Sequence, residues 1–334
     1  MNEDQRCSGC GEAFGLGYRY CTGCGMPIKR TEKMFGIVRI AGLLLLLMCV
    51  PMLFFEVCAL LWGADEIWRN LSRAAILVLT PSPAVAFWLS GTLAHLYFLF
   101  LVVAALLSFI LLLYDSRDGI SELLRGKTER IANTPLYAVI TLFAAVISMN
   151  LIFNMILMST GNEPAIPDMD VPQWALMYSV LNAAVWEEVL CRVLMIGAPM
   201  MLIGLMINRE GSWKCLFGRF EMNSAAVAFI FISAVVFSYA HLSGWDIFKL
   251  FPTFVSGLAL GYLFVKYGIH AAIMLHFIIN YLSSAIWVFG ETMTITAFLG
   301  LFLIGVVLLG TVFVVWYTVR GIKFLRKMIT REEF

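Results

Sequence analysis

Residues 174–207 read WALMYSVLNAAVWEEVLCRVLMIGAPMMLIGLMI, and three of them are charged: Glu187, Glu188 and Arg192. About 20 apolar residues cross a bilayer as a helix, so this run is long enough to span one. A charge at the bilayer centre costs roughly 2.5–3.5 kcal/mol on insertion scales. Three on one helix point to a site rather than to idle surface. Working outward, neighbouring apolar runs carry His241, His276 and Asn280. Carboxylates, imidazoles and an amide are the groups that activate a water and hold an oxyanion.

The rest of the chain fits a membrane protein. Of its 334 residues, 61% are hydrophobic and 13% charged, with a mean hydropathy of +0.88. A soluble domain is nearer about 45–50% apolar and about 25% charged. The net charge of +1 gives no bulk electrostatic reason to expect nucleic acid as a partner. The polar, cysteine-containing start predicts no cleavable signal peptide. The ending Thr-Arg-Glu-Glu-Phe predicts no prenylation of the chain itself.

Hydropathy predicts an all-α, polytopic membrane protein of about eight transmembrane helices. They lie near 35–61, 84–114, 135–159, 173–207, 223–243, 247–266, 269–289 and 293–319. Several exceed the length needed, which predicts tilt or extension past the membrane. Pro199 is expected to kink the fourth. Residues 65–79 read as a short interfacial helix, mixing Trp68, Arg69 and Arg73 with aliphatics. With a cytoplasmic N-terminus, the inside segments hold 18 Lys and Arg and the outside segments three. That asymmetry predicts an integral membrane protein with both termini cytoplasmic.

The chain opens with Cys7-Ser8-Gly9-Cys10 and Cys21-Thr22-Gly23-Cys24, each followed by a glycine. Paired CxxC knuckles close a tetrahedral zinc site with four thiolates, so residues 1–28 are predicted to be a small zinc ribbon holding structural zinc. A reducing cytosol disfavours the alternative of two disulfides. A basic linker follows at 29–34, then a transmembrane domain at 35–320 and a cytoplasmic tail at 321–334. The ribbon is expected to engage a protein partner.

Helical spacing organises the polar residues of the spans. Glu188 and Arg192 are i,i+4 and pair on one face, while Glu187 is turned about 100° away. Phe237 and His241 are i,i+4, and so are His276 and Asn280. Glu187-Glu188-x-x-x-Arg192, Phe237-x-x-x-His241 and His276-x-x-x-Asn280, in that order, resemble the three motifs of the CPBP intramembrane proteases. That family includes the type II CAAX prenyl endopeptidases and proteins linked to bacteriocin processing and immunity. The resemblance covers about 170–290, the expected catalytic core. Val193 departs from it, because many members have glycine after the arginine. The zinc ribbon is an accessory that the family does not require.

The resemblance implies an endopeptidase acting on a membrane-tethered, prenylated or hydrophobic peptide, with membrane lipid around it. It implies that Glu187 is the general base, activating water together with His241. It implies that His276 and Asn280 stabilise the oxyanion, and Arg192 is expected to balance Glu188. Alternatives stay open at this point. His241, His276 and a glutamate form a two-His, one-carboxylate set that suits a catalytic metal. The same groups suit a proton-coupled transporter or a silent peptide- or toxin-sequestering protein. Other intramembrane protease chemistries fit poorly. There is no HExxH, the tract Phe254-Val255-Ser256-Gly257 lacks the first glycine of GxSG, and no pair of intramembrane aspartates occurs.

The remaining polar residues lie outside these motifs. His95 and His270 match none of them and read as structural or interfacial. Glu56, placed near the end of the first span, is expected to reach the headgroup region. Gly257-x-x-x-Gly261 reads as a close helix contact. One tension remains: these boundaries put His241 near the outer end of its span and His276 nearer the inner end of its own.

Overall fold

The computed structural model describes residues 36–73, 76–81, 84–162, 171–243 and 246–330. The ribbon cysteines Cys7, Cys10, Cys21 and Cys24 lie outside the described residues. Residues 37–330 belong to one compact unit, which is predominantly helical.

The chain order is α1 (Gly36–Leu71), a hairpin of β1 (Ile76–Pro81) and β2 (Ala84–Leu89), α2 (Gly91–Leu124) and α3 (Pro135–Ser159). Then come α4 (Gln173–Asn182), α5 (Ala198–Met206), α6 (Ser224–Ala240), α7 (Leu250–Tyr267), α8 (Ile269–Asn280), α9 (Ser284–Phe289) and α10 (Met293–Ile329). Between α4 and α5 the helix continues in wide π turns, over Ala183–Glu187 and Val189–Gly197, so Gln173–Met206 runs as one apolar helix.

Six helical stretches among the described residues are long and apolar enough to cross a membrane. The fifth and seventh expected spans are shorter helices, Ser224–Ala240 and Ile269–Asn280. Local sequence sets where helices start. Thr134 accepts a hydrogen bond from the Tyr137 N–H with Pro135 in the first turn, and Asn223 accepts one from the Ala226 N–H.

Several expectations are corrected. The helical fold class holds with one local exception, a hairpin in which β1 and β2 pair antiparallel from Ile76↔Leu89 to Pro81↔Ala84. Residues 65–79 form no separate interfacial helix: α1 continues unbroken to Leu71, and the chain then enters β1. Ile76, Val78 and Val85 in this region are β-branched, which suits strand better than helix. The second span starts at Gly91 rather than 84 for the same reason. The expected span 269–289 breaks at Tyr281–Ser283 into α8 and α9. Glu56 does not reach the headgroups. With α1 extending to Leu71, it sits in mid-helix and is fully buried. Pro199, expected to kink its span, stands where the wide turns give way to regular α-helix.

The centre of the bundle is α3 and α8. Every residue of α3 from Pro135 to Ser148 is buried, as is every residue of α8 from His270 to Ile278. Small residues let helices approach closely. A Cβ on Gly257 would lie 2.9 Å from the Ala234 Cα, and one on Gly261 would lie 2.9 Å from the Ile230 side chain, so α6 and α7 meet along this pair. At one end of the bundle Arg219 pairs with Asp115 and donates from Nε to the Tyr267 carbonyl at 2.7 Å. His270 Nε2 is 3.2 Å from the same aspartate. His95 is held by backbone, with Nδ1 2.8 Å from the Gly91 carbonyl and Nε2 3.0 Å from that of Trp68.

Candidate active site

The site is assembled from the wide-turn segment, the end of α6 and the end of α8. Wide turns are rare and occur mostly as local insertions at functional positions. Here they carry Glu187 and, in the residue between the two stretches, Glu188.

Glu188 and Arg192 are both fully buried, and Arg192 Nε donates to Glu188 Oε2 at 3.1 Å. Arg192 Nη1 donates to Ser233 Oγ at 2.6 Å, and Ser233 Oγ donates to the Cys191 carbonyl at 2.7 Å. The guanidinium carbon also stands 5.1 Å from the centre of the Phe237 ring. Sequence reasoning missed Ser233. Its only signal there was a small polar residue one α-helical turn before Phe237.

The other oxygen of Glu188, Oε1, lies 2.9 Å from His276 Nδ1. Arginine stays charged in proteins, so the facing Glu188 is an acceptor and His276 is the donor from Nδ1. His241 Nδ1 is 2.7 Å from the Phe237 carbonyl, which also only accepts. Each imidazole is therefore held at Nδ1 and turns Nε2 elsewhere.

Both rings turn toward one atom. Glu187 Oε2 is 3.9 Å from His241 Nε2 and 4.0 Å from His276 Nε2. That oxygen is buried and has no hydrogen-bond partner among the described residues. The depth tension thus disappears. Phe237, one turn before His241, meets His276 with ring centres 6.0 Å apart, so α6 and α8 are level here.

Asn280 is tied to α4. Its Nδ2 donates to the Val180 carbonyl at 3.2 Å, which leaves one N–H of that amide. Tyr281 follows it and donates to the Met177 carbonyl at 3.1 Å. The end of α8 is thereby fixed to α4. Among the described residues no three His, Cys, Asp or Glu side chains meet at metal-holding spacing.

Residues 170–282 match the family model for Type II CAAX prenyl endopeptidase Rce1-like proteins. The matched segment contains Glu187, Glu188, Arg192, His241, His276 and Asn280. No curated protein and no solved structure gave a match.

Proposed function

We propose that the chain is an intramembrane endopeptidase that hydrolyses a peptide bond of a membrane-associated, prenylated or hydrophobic substrate. The observation that carries this reading is the buried, unpartnered Glu187 Oε2 facing two imidazole nitrogens at 3.9 and 4.0 Å. Direct N–H···O bonds end near about 3.2 Å. The wider separations suit one water hydrogen-bonded to all three groups. The family match over 170–282 supports the same chemistry.

In this mechanism Glu187, with His241, takes a proton from the water, and the water oxygen adds to the substrate carbonyl carbon. The carbonyl oxygen becomes an oxyanion and accepts N–H bonds from His276 Nε2 and the remaining N–H of Asn280. The C–N bond then breaks as the proton passes to the leaving amine. Glu187 Oε2 and the two Nε2 lone pairs are three acceptors, and a water has two hydrogens. One proton on His276 Nε2 completes the set, and the Glu187 carboxylate facing that nitrogen balances its charge, since Glu188 is already paired with Arg192.

The test is turnover of a membrane-tethered peptide by purified protein. Glu187→Gln should abolish it, because the shape is kept and the base is lost. His241→Ala should be comparably severe, while Asn280→Ala should cost about 10²–10³ in rate or less. Full activity in Glu187→Gln would show that the base is misassigned. No turnover of any tethered peptide would favour the transporter or the sequestering protein instead.

A metal-assisted route is the rival to be tested: both Nε2 atoms and Glu187 would have to draw together to hold a divalent ion, since among the described residues they do not stand at metal-holding spacing. The ribbon is proposed to hold one structural zinc through Cys7, Cys10, Cys21 and Cys24. Replacing those four cysteines by serine in the full chain should remove all zinc and leave peptide turnover. Stoichiometric metal that persists, with turnover stopped by chelation, would establish the metal route.

A further inference from the structure

The face of α4 that leads up to Glu187 carries polar groups that the proposed mechanism does not use. Tyr178 and Asn182 are i,i+4 and so lie on one face. Tyr178 is 6% exposed, and its buried hydroxyl has no hydrogen-bond partner among the described residues. A buried O–H without a partner is uncommon in a folded protein. Asn182 is half-buried, and Tyr97 of α2 donates its hydroxyl to Asn182 Oδ1 at 2.7 Å. That bond takes the amide's acceptor and fixes which way the amide points. Its two N–H donors have no partner among the described residues.

The wide turn brings this face to the site. A regular α-helix would turn Glu187 about 140° from Asn182 over five residues. In a π turn, with its i→i+5 bonds, the same five residues close nearly one full turn, so Glu187 comes back close to the Asn182 face. Trp186, four residues after Asn182, also meets Tyr97, the partner of Asn182, with ring centres 6.0 Å apart. Asn182 and Glu187 are thus about one helical turn apart on neighbouring parts of one face. A row of donors runs from Glu187 toward the hairpin end of the bundle, where α2 begins.

We propose that Tyr178 and Asn182, with Tyr97 as the positioning residue for the Asn182 amide, form a subsite for the main-chain carbonyls of the peptide on the hairpin side of the scissile bond. The proposal rests on the endopeptidase reading for its substrate class. Donors without acceptors select a ligand rich in acceptors. An extended peptide has two backbone carbonyls about 7 Å apart, two residues along, which spans the spacing of a helical turn. The Tyr97 hydroxyl plays no part in moving protons; it sets the orientation of an amide.

The test measures binding separately from turnover. The Glu187→Gln chain in lipid nanodiscs is titrated with a fluorescent prenylated peptide, alone and with Asn182→Ala or Tyr97→Phe added. Asn182→Ala should raise Kd about tenfold, the loss of one or two hydrogen bonds to a desolvated ligand. Tyr97→Phe keeps the ring and should raise Kd about threefold by freeing the amide. In the otherwise wild-type chain both changes should raise KM more than they lower kcat. The ester analogue of the peptide, with a weaker carbonyl acceptor next to the scissile bond, should bind the parent more weakly and the Asn182→Ala protein no more weakly than the amide. Unchanged Kd in both variants, with only melting temperature reduced, would overturn the subsite and reduce the trio to packing. Peptide that binds Asn182-dependently without being cleaved by the wild-type chain would uphold the subsite and overturn the endopeptidase reading alone.

Discussion

At the scale of single residues, Glu188 is the hub of the buried group. One carboxylate oxygen faces Arg192 and the other faces His276, with Glu188 and Arg192 fully buried. Removing one partner of such a pair is far costlier than replacing both, because it leaves a bare buried charge. Glu188→Gln should therefore lose about 3–5 kcal/mol of stability. Glu188→Gln with Arg192→Leu should melt at a higher temperature than Glu188→Gln alone. Thermal unfolding in detergent checks both, and a double variant less stable than the single would refute the charge argument. Activity should fall in both, because each loses the carboxylate behind His276.

At the scale of elements, the approach of α6 to α7 governs how firmly His241 is held. Gly257→Val would set branched carbons where a Cβ already meets Ala234 at 2.9 and 3.0 Å. Overpacking of this kind costs about 1–3 kcal/mol, and the melting temperature should drop accordingly. Gly300→Ala in α10 is the control, since no heavy atom lies within 4 Å of its added Cβ. It should leave the melting temperature unchanged or slightly raised.

Element order and the i,i+4 pairs were legible in the sequence because they depend on local periodicity. The Gly257/Gly261 contact was legible for the same reason. Three things were not. Hydropathy does not distinguish an apolar strand from an apolar helix, so the hairpin at Ile76–Leu89 was read as helix. Length alone did not reveal that α1 continues past residue 61, which is why Glu56 was placed at a surface it does not reach. The partners Ser233, Val180 and Tyr97 lie 41, 100 and 85 residues from Arg192, Asn280 and Asn182. No pattern of spacing shows such contacts.

At the scale of the whole molecule, one end gathers the C-terminal part of α2 and the start of α8, through Asp115, Arg219 and His270. The same end holds the start of α3 and the far half of α10, since Thr141 and Tyr317 hydroxyls are 2.8 Å apart. The loops there carry most of the lysines and arginines, so this end is expected to face the cytoplasm. Cysteines introduced at 120–130 and at 325–330 should both react with a membrane-impermeant reagent applied from the cytoplasmic side. Labelling of the two regions from opposite sides would break the arrangement.

The wide turns of Ala183–Glu187 and Val189–Gly197 have a consequence for the history of the chain. Adding one residue to a regular helix rotates everything beyond it by about 100°. A π turn absorbs the extra residue where it stands, so both flanks keep their phase. A gene could gain or lose a single codon in this segment without disturbing how either half of the helix packs. The carboxylates at its middle would swing instead, which makes the segment the place where the smallest change of length alters chemistry before it alters fold.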